Sequence, residues 1–196
     1  MTTKDKIISA AKEVFHKKGY SGARMQEIAD LSGINKALLH YHFKNKDVLF
    51  RSVLMAGFMD VFPIIFGILN SKLELKVKIN TFVETYIDHI SKNPNLPLFV
   101  LNELGQNPNF INDLLGSTNL HPDEFIHQIQ HAISNNEITE TDPFQIIIDM
   151  VGLCVFPFIG KPMIKLISKK SEKEYLQFVQ DRKKHVQNLL FNGLFK

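Results

Sequence analysis

Apolar residues recur every three or four positions over most of the chain, and no stretch alternates in the manner of a β-strand. This spacing places side chains on one face of an α-helix. Near the beginning of the chain, Ile7, Val14 and Phe15 form one such stripe. Thr2 and Asp5 have the spacing of a capping box at the start of the same helix. The pattern therefore predicts an all-α protein.

Capping and turn residues divide the rest of the pattern into further helices. Pro63 is expected to kink or end the fourth helix, and Ser71 with Glu74 to form a second capping box. Pro157 and Gly160 are expected to break or bend the most apolar helix. The fourth helix is predicted to begin after Asn45, and the later helices are predicted over residues 71–93, 97–105, 108–115, 122–135, 143–157 and 172–194.

Residues 26–50 contain two short helices joined by a tight turn. Gly33 follows the last apolar position of the first helix and can adopt the left-handed conformation that closes it. Asn35 is a good N-cap for the next helix, over residues 36–43. Leu39 and Phe43 lie four positions apart and are expected to face inward. These features predict a helix-turn-helix unit whose second helix enters the major groove of DNA.

This segment resembles the N-terminal DNA-binding module of the TetR family of bacterial transcriptional regulators. The resemblance implies a three-helix DNA-binding domain over residues 1–46 and a larger helical domain for effector binding and dimerisation over residues 47–196. In this family the last two helices pair with those of a second subunit, which implies a homodimer. The matching residues are Gly19, Tyr20, Glu27, Ile28, Ala29, Gly33, Ile34, Asn35, Lys36, Ala37, Leu39, Tyr41, His42, Phe43, Lys46, Asp47, Val48 and Leu49.

Two positions depart from the family pattern. Where the family has a Ser or Thr to cap the second helix, this chain has Ala23 followed by Arg24. The capping hydrogen bond is therefore expected to be missing, and Arg24 becomes a candidate for a phosphate or base contact. His40 stands where the family has Tyr, and its imidazole can still reach a phosphate or a base edge.

The outward side of the second helix carries the candidate DNA contacts. Lys36 and Lys46 are expected mostly to bind phosphates, which adds affinity and salt dependence. Ala37 or Leu38 can meet a thymine methyl group. The alternative interpretation is an ordinary polar helix face. The predicted DNA-binding residues are Arg24, Asn35, Lys36, Ala37, Leu38, His40, Tyr41, His42 and Lys46.

The charge of the chain is concentrated at its N-terminal end. Residues 1–50 contain nine Lys and Arg against five Asp and Glu, whereas the remaining residues contain 14 against 15. The net charge of +3 therefore arises in the first quarter of the sequence. A local basic surface on an otherwise neutral chain favours a polyanionic partner at one end.

Aromatic residues suggest an effector site in the larger domain. Taken singly, each phenylalanine fits an ordinary core position better than a pocket wall. As a set they favour an apolar or aromatic effector over a sugar phosphate, because no basic cluster or glycine-rich loop accompanies them. The candidate pocket residues are Phe58, Phe62, Phe66, Phe82, Phe99, Phe110 and Phe156.

One helix carries a spacing that could hold a metal ion. Glu124, His127 and His131 lie three and four positions apart, with His121 as a possible further ligand. They fall opposite the apolar stripe of the same helix, so a solvated face is the better interpretation. We therefore predict neither a metal ion nor a cofactor.

Enzymatic activity and export are not predicted. The chain contains no G-x-S-x-G, P-loop or H-E-x-x-H motif. Cys154 is the only cysteine, so no intrachain disulfide can form. The charged N-terminal helix is unlike a signal peptide, and the longest apolar stretch, residues 150–160, is too short to span a membrane. We expect a soluble cytoplasmic protein with no membrane contact.

Together with the resemblance, the sequence predicts a ligand-responsive transcriptional regulator. The expected form is a repressor that binds a palindromic double-stranded DNA operator as a dimer and is released by a small, largely apolar effector. The alternative is a DNA-binding protein that lacks a small-molecule switch and is controlled by a protein partner.

Overall fold

The computed structural model describes residues 2–106, 109 and 121–196. The described part contains ten α-helices and no β-strand, which confirms the predicted all-α class. The predicted helix over residues 108–115 and the candidate pocket residue Phe110 lie outside the described residues. The helices are α1 Thr3–Gly22, α2 Met25–Ser32, α3 Lys36–His42, α4 Lys46–Leu69, α5 Leu75–Lys92, α6 Leu96–Gln106, α7 Asp123–Ser134, α8 Pro143–Ile159, α9 Lys161–Ser168 and α10 Glu172–Leu194.

The helices form two compact units, Met1–Asp60 and Val61–Lys196, so the division falls inside α4. The domain boundary predicted after residue 46 lies at the beginning of the same helix, 14 residues before this division.

The first unit is built around the inner faces of α1, α2, α3 and the first half of α4. The predicted capping box is present, because the Thr2 hydroxyl accepts from the Asp5 amide and the Asp5 carboxylate accepts from the Thr2 amide. Gly19 interrupts α1 with a φ of 68°. The core consists of Ile7, Ala10, Ala11, Val14, Phe15, Ala23, Ile28, Ala29, Leu39, Phe43, Leu49 and Val53.

The second unit is organised around α8, which packs against α5, α6, α7, α9 and α10. Asp142 caps α8 by accepting a hydrogen bond from the Phe144 amide at 2.8 Å. The Arg182 side chain of α10 donates to the Leu153 carbonyl at 3.1 Å, and Lys183 pairs with Asp88 at 2.5 Å. Polar contacts thus connect α10 with both α8 and α5.

Two predicted helix boundaries differ from the structure. Pro63 does not end α4, which continues to Leu69, and the buried Val61 and Ile65 on either side of the proline anchor the helix in the core. The capping box of Ser71 with Glu74 is absent. The Ser71 hydroxyl donates instead to the Ile68 carbonyl at 2.7 Å.

The bend in the most apolar segment falls at Gly160. The helix α8 runs through Pro157 to Ile159, and α9 follows at an angle of 68°. Gly160 therefore ends α8, whereas Pro157 is accommodated within it.

By length and composition alone, α4 could cross a membrane, since its most apolar window has a mean hydropathy of 2.0. The bent pair of α8 and α9 passes the same test together. The sequence expectation considered only residues 150–160 and overlooked α4. Core helices of soluble proteins also meet this criterion of length and composition. Leu49 and Val53 of α4 belong to the core of the first unit.

Candidate nucleic-acid interface

The turn between α2 and α3 has the geometry that its sequence predicts. Gly33 adopts φ 71° and ψ 27°, in the left-handed region that L side chains rarely occupy. The amides of Gly33 and Ile34 donate to the carbonyls of Asp30 and Ala29 at 3.2 and 3.1 Å. These bonds satisfy the last carbonyls of α2 and reverse the chain toward α3.

The inner face of α3 fixes the helix to the unit. Asn35 caps α3 as predicted, because its side-chain oxygen accepts from the Leu38 amide at 2.8 Å. Leu39 is completely buried and Phe43 is 2% exposed, so both face inward as predicted. Ala29 is also fully buried, and its small side chain is suited to close packing of α2 and α3.

The outer face of α3 is open to solvent. Tyr41 is 81% exposed and Leu38 is 37% exposed. Lys36, Ala37 and His40 are exposed as well. The structure therefore places five of the nine predicted DNA-binding residues together on the surface of one helix.

The two histidines of α3 have different surroundings. The Nδ1 atom of His40 lies 3.3 Å from the Lys44 carbonyl oxygen, which can only accept a hydrogen bond. In the neutral ring, Nδ1 then donates and Nε2 is left as an acceptor. His42 is half-buried, and its ring lies edge-on to Tyr41 with centroids 5.4 Å apart.

Arg24 is the N-cap of α2, and its side chain makes no capping hydrogen bond. This agrees with the missing Ser or Thr at the start of this helix. Arg24 is exposed, beside the amides of the first turn of α2. In that turn, Glu27 forms an ion pair with Lys18 at 2.7 Å.

Lys46 makes contacts that the sequence did not reveal. Its Nζ atom donates to the carbonyl of Tyr20 at 2.9 Å and to the carbonyl of Ala23 at 3.3 Å. The same atom lies 4.5 Å from the centroid of the Tyr20 ring. The Tyr20 ring in turn lies 4.9 Å from Phe50 and 6.3 Å from Phe15. No local pattern links Lys46 to Tyr20, because they are 26 positions apart.

The described candidate effector residues do not share one environment. Phe58 is buried in the first unit. In the second unit, Phe62 and Phe66 are half-buried with ring centroids 4.7 Å apart. Phe82 and Phe99 are buried, whereas Phe156 is 53% exposed on α8. The effector pocket stays a prediction.

A cleft of about 750 Å³ lies in the second unit, between the start of α5, the exposed side of α7 and the last residues of the chain. Glu124, His127 and His131 line it, and none of the described candidate phenylalanines does. The side chains of Glu124, His127 and His131 are exposed, as expected for a solvated face. Within the described ranges, no three acidic, histidine or cysteine side chains are grouped so that they could hold a metal ion.

The N-terminal part of the chain matches known DNA-binding domains. Residues 7–53 match the model of the bacterial regulatory proteins of the tetR family. A segment of 54 residues is 48% identical to the HTH-type transcriptional regulator QacR of Staphylococcus aureus, and covers 28% of this chain and 29% of QacR. A segment of 52 residues is 42% identical to the HTH-type transcriptional repressor NicS of Pseudomonas putida, and covers 24% of NicS. The matched segments thus span about a quarter of these relatives.

Similarity over the whole chain is weaker in sequence but extends to the fold. The probable HTH-type transcriptional regulator YttP of Bacillus subtilis is 26% identical over 182 residues, covering 90% of this chain and 84% of YttP. A transcriptional regulator from Cytophaga hutchinsonii has a TM-score of 0.65 at 23% identity, with 98% of both chains covered. A TetR/AcrR-family regulator from Thermobifida fusca has a TM-score of 0.64 at 17% identity, covering 94% of this chain and 96% of that one. The N-terminal segment is therefore a DNA-binding domain of the tetR family of bacterial regulatory proteins, and the whole chain shares the fold of solved regulators of the TetR/AcrR family.

Proposed function

We propose that this chain is a cytoplasmic transcriptional regulator that binds a palindromic operator as a homodimer, with α3 in the major groove. The observation that carries the proposal is the two-sided character of α3. Leu39 is fully buried while Tyr41, two positions later, is 81% exposed. A helix held from one side and open on the other can enter the groove without loss of core packing.

The proposed contacts divide into two kinds. Lys36, at the first position of α3, binds phosphate, and Arg24 does so together with the uncapped amides of α2. Leu38 and Tyr41 face the bases, where the leucine can meet a thymine methyl. Ala37 and His40 complete this face. Asn35 and His42 support it from its ends, since the Asn35 oxygen is already engaged in the cap.

The proposed dimer forms through α8 and α10. Phe144, Ile148 and Phe156 repeat at multiples of four positions along α8 and are 57%, 61% and 53% exposed. Gly152 lies on the same stripe, and a Cβ atom added there would meet nothing within 4 Å. Together with Leu189 of α10, which is 50% exposed, these residues leave an apolar face that a second copy would cover.

The proposed regulation is release from DNA by a small, largely apolar effector bound in the second unit, so that the protein acts as a repressor. Phe62, Phe66, Phe82 and Phe99 are its candidate contacts. Because α4 belongs to both units, movement of its second half can be passed to the DNA-binding helices. A coupling of about 1–3 kcal/mol would suffice to change operator affinity 5- to 150-fold.

Control by a protein partner is the alternative. It is favoured by Leu166 and Ile167 of α9, which are 79% and 73% exposed. The direction of regulation is not decided by the matched domain, because relatives include a repressor, NicS, and an activator, FasR of Mycolicibacterium smegmatis. Small apolar compounds that release the purified protein from its operator would support the effector proposal. If no such compound releases the protein and an added protein partner does, the result would support the alternative.

The experiment that tests DNA binding compares the fragment upstream of the coding region with scrambled DNA at two salt concentrations. We expect binding that prefers the upstream fragment and weakens with salt, because phosphate contacts release counterions. Equal, weak binding to both fragments, and to duplexes selected from a random-sequence pool, would contradict a sequence-specific regulator.

A further inference from the structure

The ammonium group of Lys46 lies where the break between α1 and α2 exposes two backbone carbonyls. The Ala23 amide donates to the Gly19 carbonyl, and the Ile28 amide donates to the Arg24 carbonyl. Neither of these backbone hydrogen bonds uses the carbonyl of Tyr20 or of Ala23. Lys46 donates to both of these carbonyls, at 2.9 and 3.3 Å. Carbonyls at the end of a helix carry partial negative charge and favour a cation.

The position of Lys46 along the chain gives this contact its significance. The carbonyls of Tyr20 and Ala23 precede α2, which begins at Met25, and Lys46 follows α3, which ends at His42. The side chain of Lys46 therefore joins the two ends of the segment that contains α2, the Gly33 turn and α3. Closing this loop through a side chain restricts the orientation of α3 relative to α1 and α4.

The surrounding aromatic residues hold the ammonium group in place. It lies 4.5 Å from the Tyr20 ring centroid, within the range of a cation–π contact. Phe50, one helical turn further along α4, packs against the same ring at 4.9 Å. Phe50 thus packs against the same ring that the Lys46 ammonium group contacts.

We infer that Lys46 is a positioning residue, which sets the orientation of the recognition helix α3 by bonding to the Tyr20 and Ala23 carbonyls, and that its contribution to DNA recognition does not come from binding a phosphate. This inference rests on the proposed DNA-binding function. It changes the role that the sequence gave to Lys46, because the sequence placed its charge on the DNA backbone.

Salt dependence distinguishes the two roles. Loss of a phosphate ligand lowers the slope of the logarithm of affinity against the logarithm of salt concentration by about 0.9 per contact. Loss of a positioning residue leaves that slope unchanged but reduces the preference for the specific sequence. Lys46→Met removes the ammonium and keeps an unbranched apolar stem. Lys36→Met removes the same charge from the exposed side of α3 and is the matched control.

The test measures binding by fluorescence anisotropy, at several salt concentrations, to a duplex that the wild-type protein selects from a random pool and to a scrambled duplex. For Lys46→Met we expect about tenfold weaker binding to the selected duplex, little change on the scrambled one and an unchanged slope. For Lys36→Met we expect weaker binding to both duplexes and a slope reduced by about 0.9 per subunit. Lys46→Arg, which keeps donors for the carbonyls, should restore most of the preference.

A reduced slope with equal losses on both duplexes for Lys46→Met would overturn the inference. If Lys46→Met does not fold, Lys46→Gln decides, because it removes the charge and keeps an N–H donor. An unchanged slope supports the inference, and a slope reduced by about 0.9 per subunit contradicts it. Failure of the proposed function would appear differently, as a wild-type protein that selects no sequence from the pool.

Discussion

The Nζ atom of Lys78 donates a hydrogen bond of 2.8 Å to the carbonyl of Leu69, and the whole lysine is buried in the second unit. Leu69 is the last residue of α4, so the ammonium satisfies a terminal carbonyl and faces the negative end of the helix dipole. The Phe125 ring lies 6.0 Å away. Burial lowers the pKa of Lys78 from its ordinary value of 10.5, while Glu124 opposes this shift.

We expect Lys78→Ala to lower the free energy of unfolding by about 2–4 kcal/mol, because it opens a cavity and leaves the Leu69 carbonyl without its donor. Denaturant unfolding followed by circular dichroism measures the effect. Lys92→Ala, at the exposed C-terminal end of the same helix, is the matched control and should change stability by less than about 0.5 kcal/mol. Equal effects of both substitutions would contradict the structural role of Lys78.

The lowered pKa of Lys78 also predicts a pH dependence. The unfolded chain holds this proton up to its ordinary pKa of 10.5, whereas the folded protein releases it at lower pH. Between the lowered pKa of the folded protein and 10.5, the unfolded state therefore binds more protons than the folded state. The free energy of unfolding rises with pH over this range. We expect the wild type to gain stability relative to Lys78→Met as the pH increases toward 10.5. A difference that is constant from pH 7 to 10.5 would contradict the shift.

The exposed face of α3 gives a direct test of the DNA interface. Lys36→Ala combined with Tyr41→Ala should abolish specific binding, since it removes a phosphate contact and a base-facing side chain. Thermal unfolding should be nearly unchanged, because Tyr41 is 81% exposed. A charge-matched control in the second unit is Lys173→Ala. Unchanged operator affinity in the double variant would refute the assignment of the interface.

Two glycines predict opposite effects of substitution by alanine. Gly33→Ala should destabilise the protein by about 1–2 kcal/mol, because its φ of 71° is unfavourable for an L side chain. Gly67→Ala, within α4 and with open space around the added Cβ, should stabilise it by about 0.5–1 kcal/mol. Thermal unfolding of both variants measures the difference. Destabilisation by Gly67→Ala would contradict the prediction, because nothing lies within 4 Å of the added Cβ atom.

The proposed dimer can be tested on its apolar face. Ile148→Glu with Phe156→Glu places two charges on the α8 stripe and should convert a dimer into a monomer. Light scattering after size-exclusion chromatography measures the mass. Leu98→Glu, at a residue of α6 that is 50% exposed, is the control and should leave the mass unchanged. A dimer that persists with both glutamates would place the interface elsewhere.

The single cysteine should be protected from modification. Cys154 is fully buried, and burial raises the pKa of its thiol to about 12 from an ordinary value of 9.0. At pH 8 the thiolate is therefore about 1,000-fold rarer than in the unfolded chain. Labelling with a thiol reagent should be slow in buffer and fast in denaturant, with Cys154→Ser as the blank. Rapid labelling of the native protein would contradict the burial.

Much of the DNA-binding unit could be predicted because its determinants are local. The Gly33 turn and the Asn35 cap depend on backbone groups within five positions of each residue. The division of α3 into a buried and an exposed side follows from helical periodicity. By contrast, the Ser71 capping box was predicted wrongly, because the hydroxyl has a competing acceptor at Ile68.

The sequence alone determined the all-α class, most helix limits and the outward residues of α3, because capping and periodicity act over a few positions of one chain segment. Only the tertiary structure decided which distant groups meet. It placed the Lys46 ammonium on carbonyls 23 and 26 positions away, and Lys183 on Asp88, 95 positions away. It also buried Lys78, although charged residues usually remain at the surface. These contacts depend on how helices pack, and the order of residues within one helix does not specify its partners.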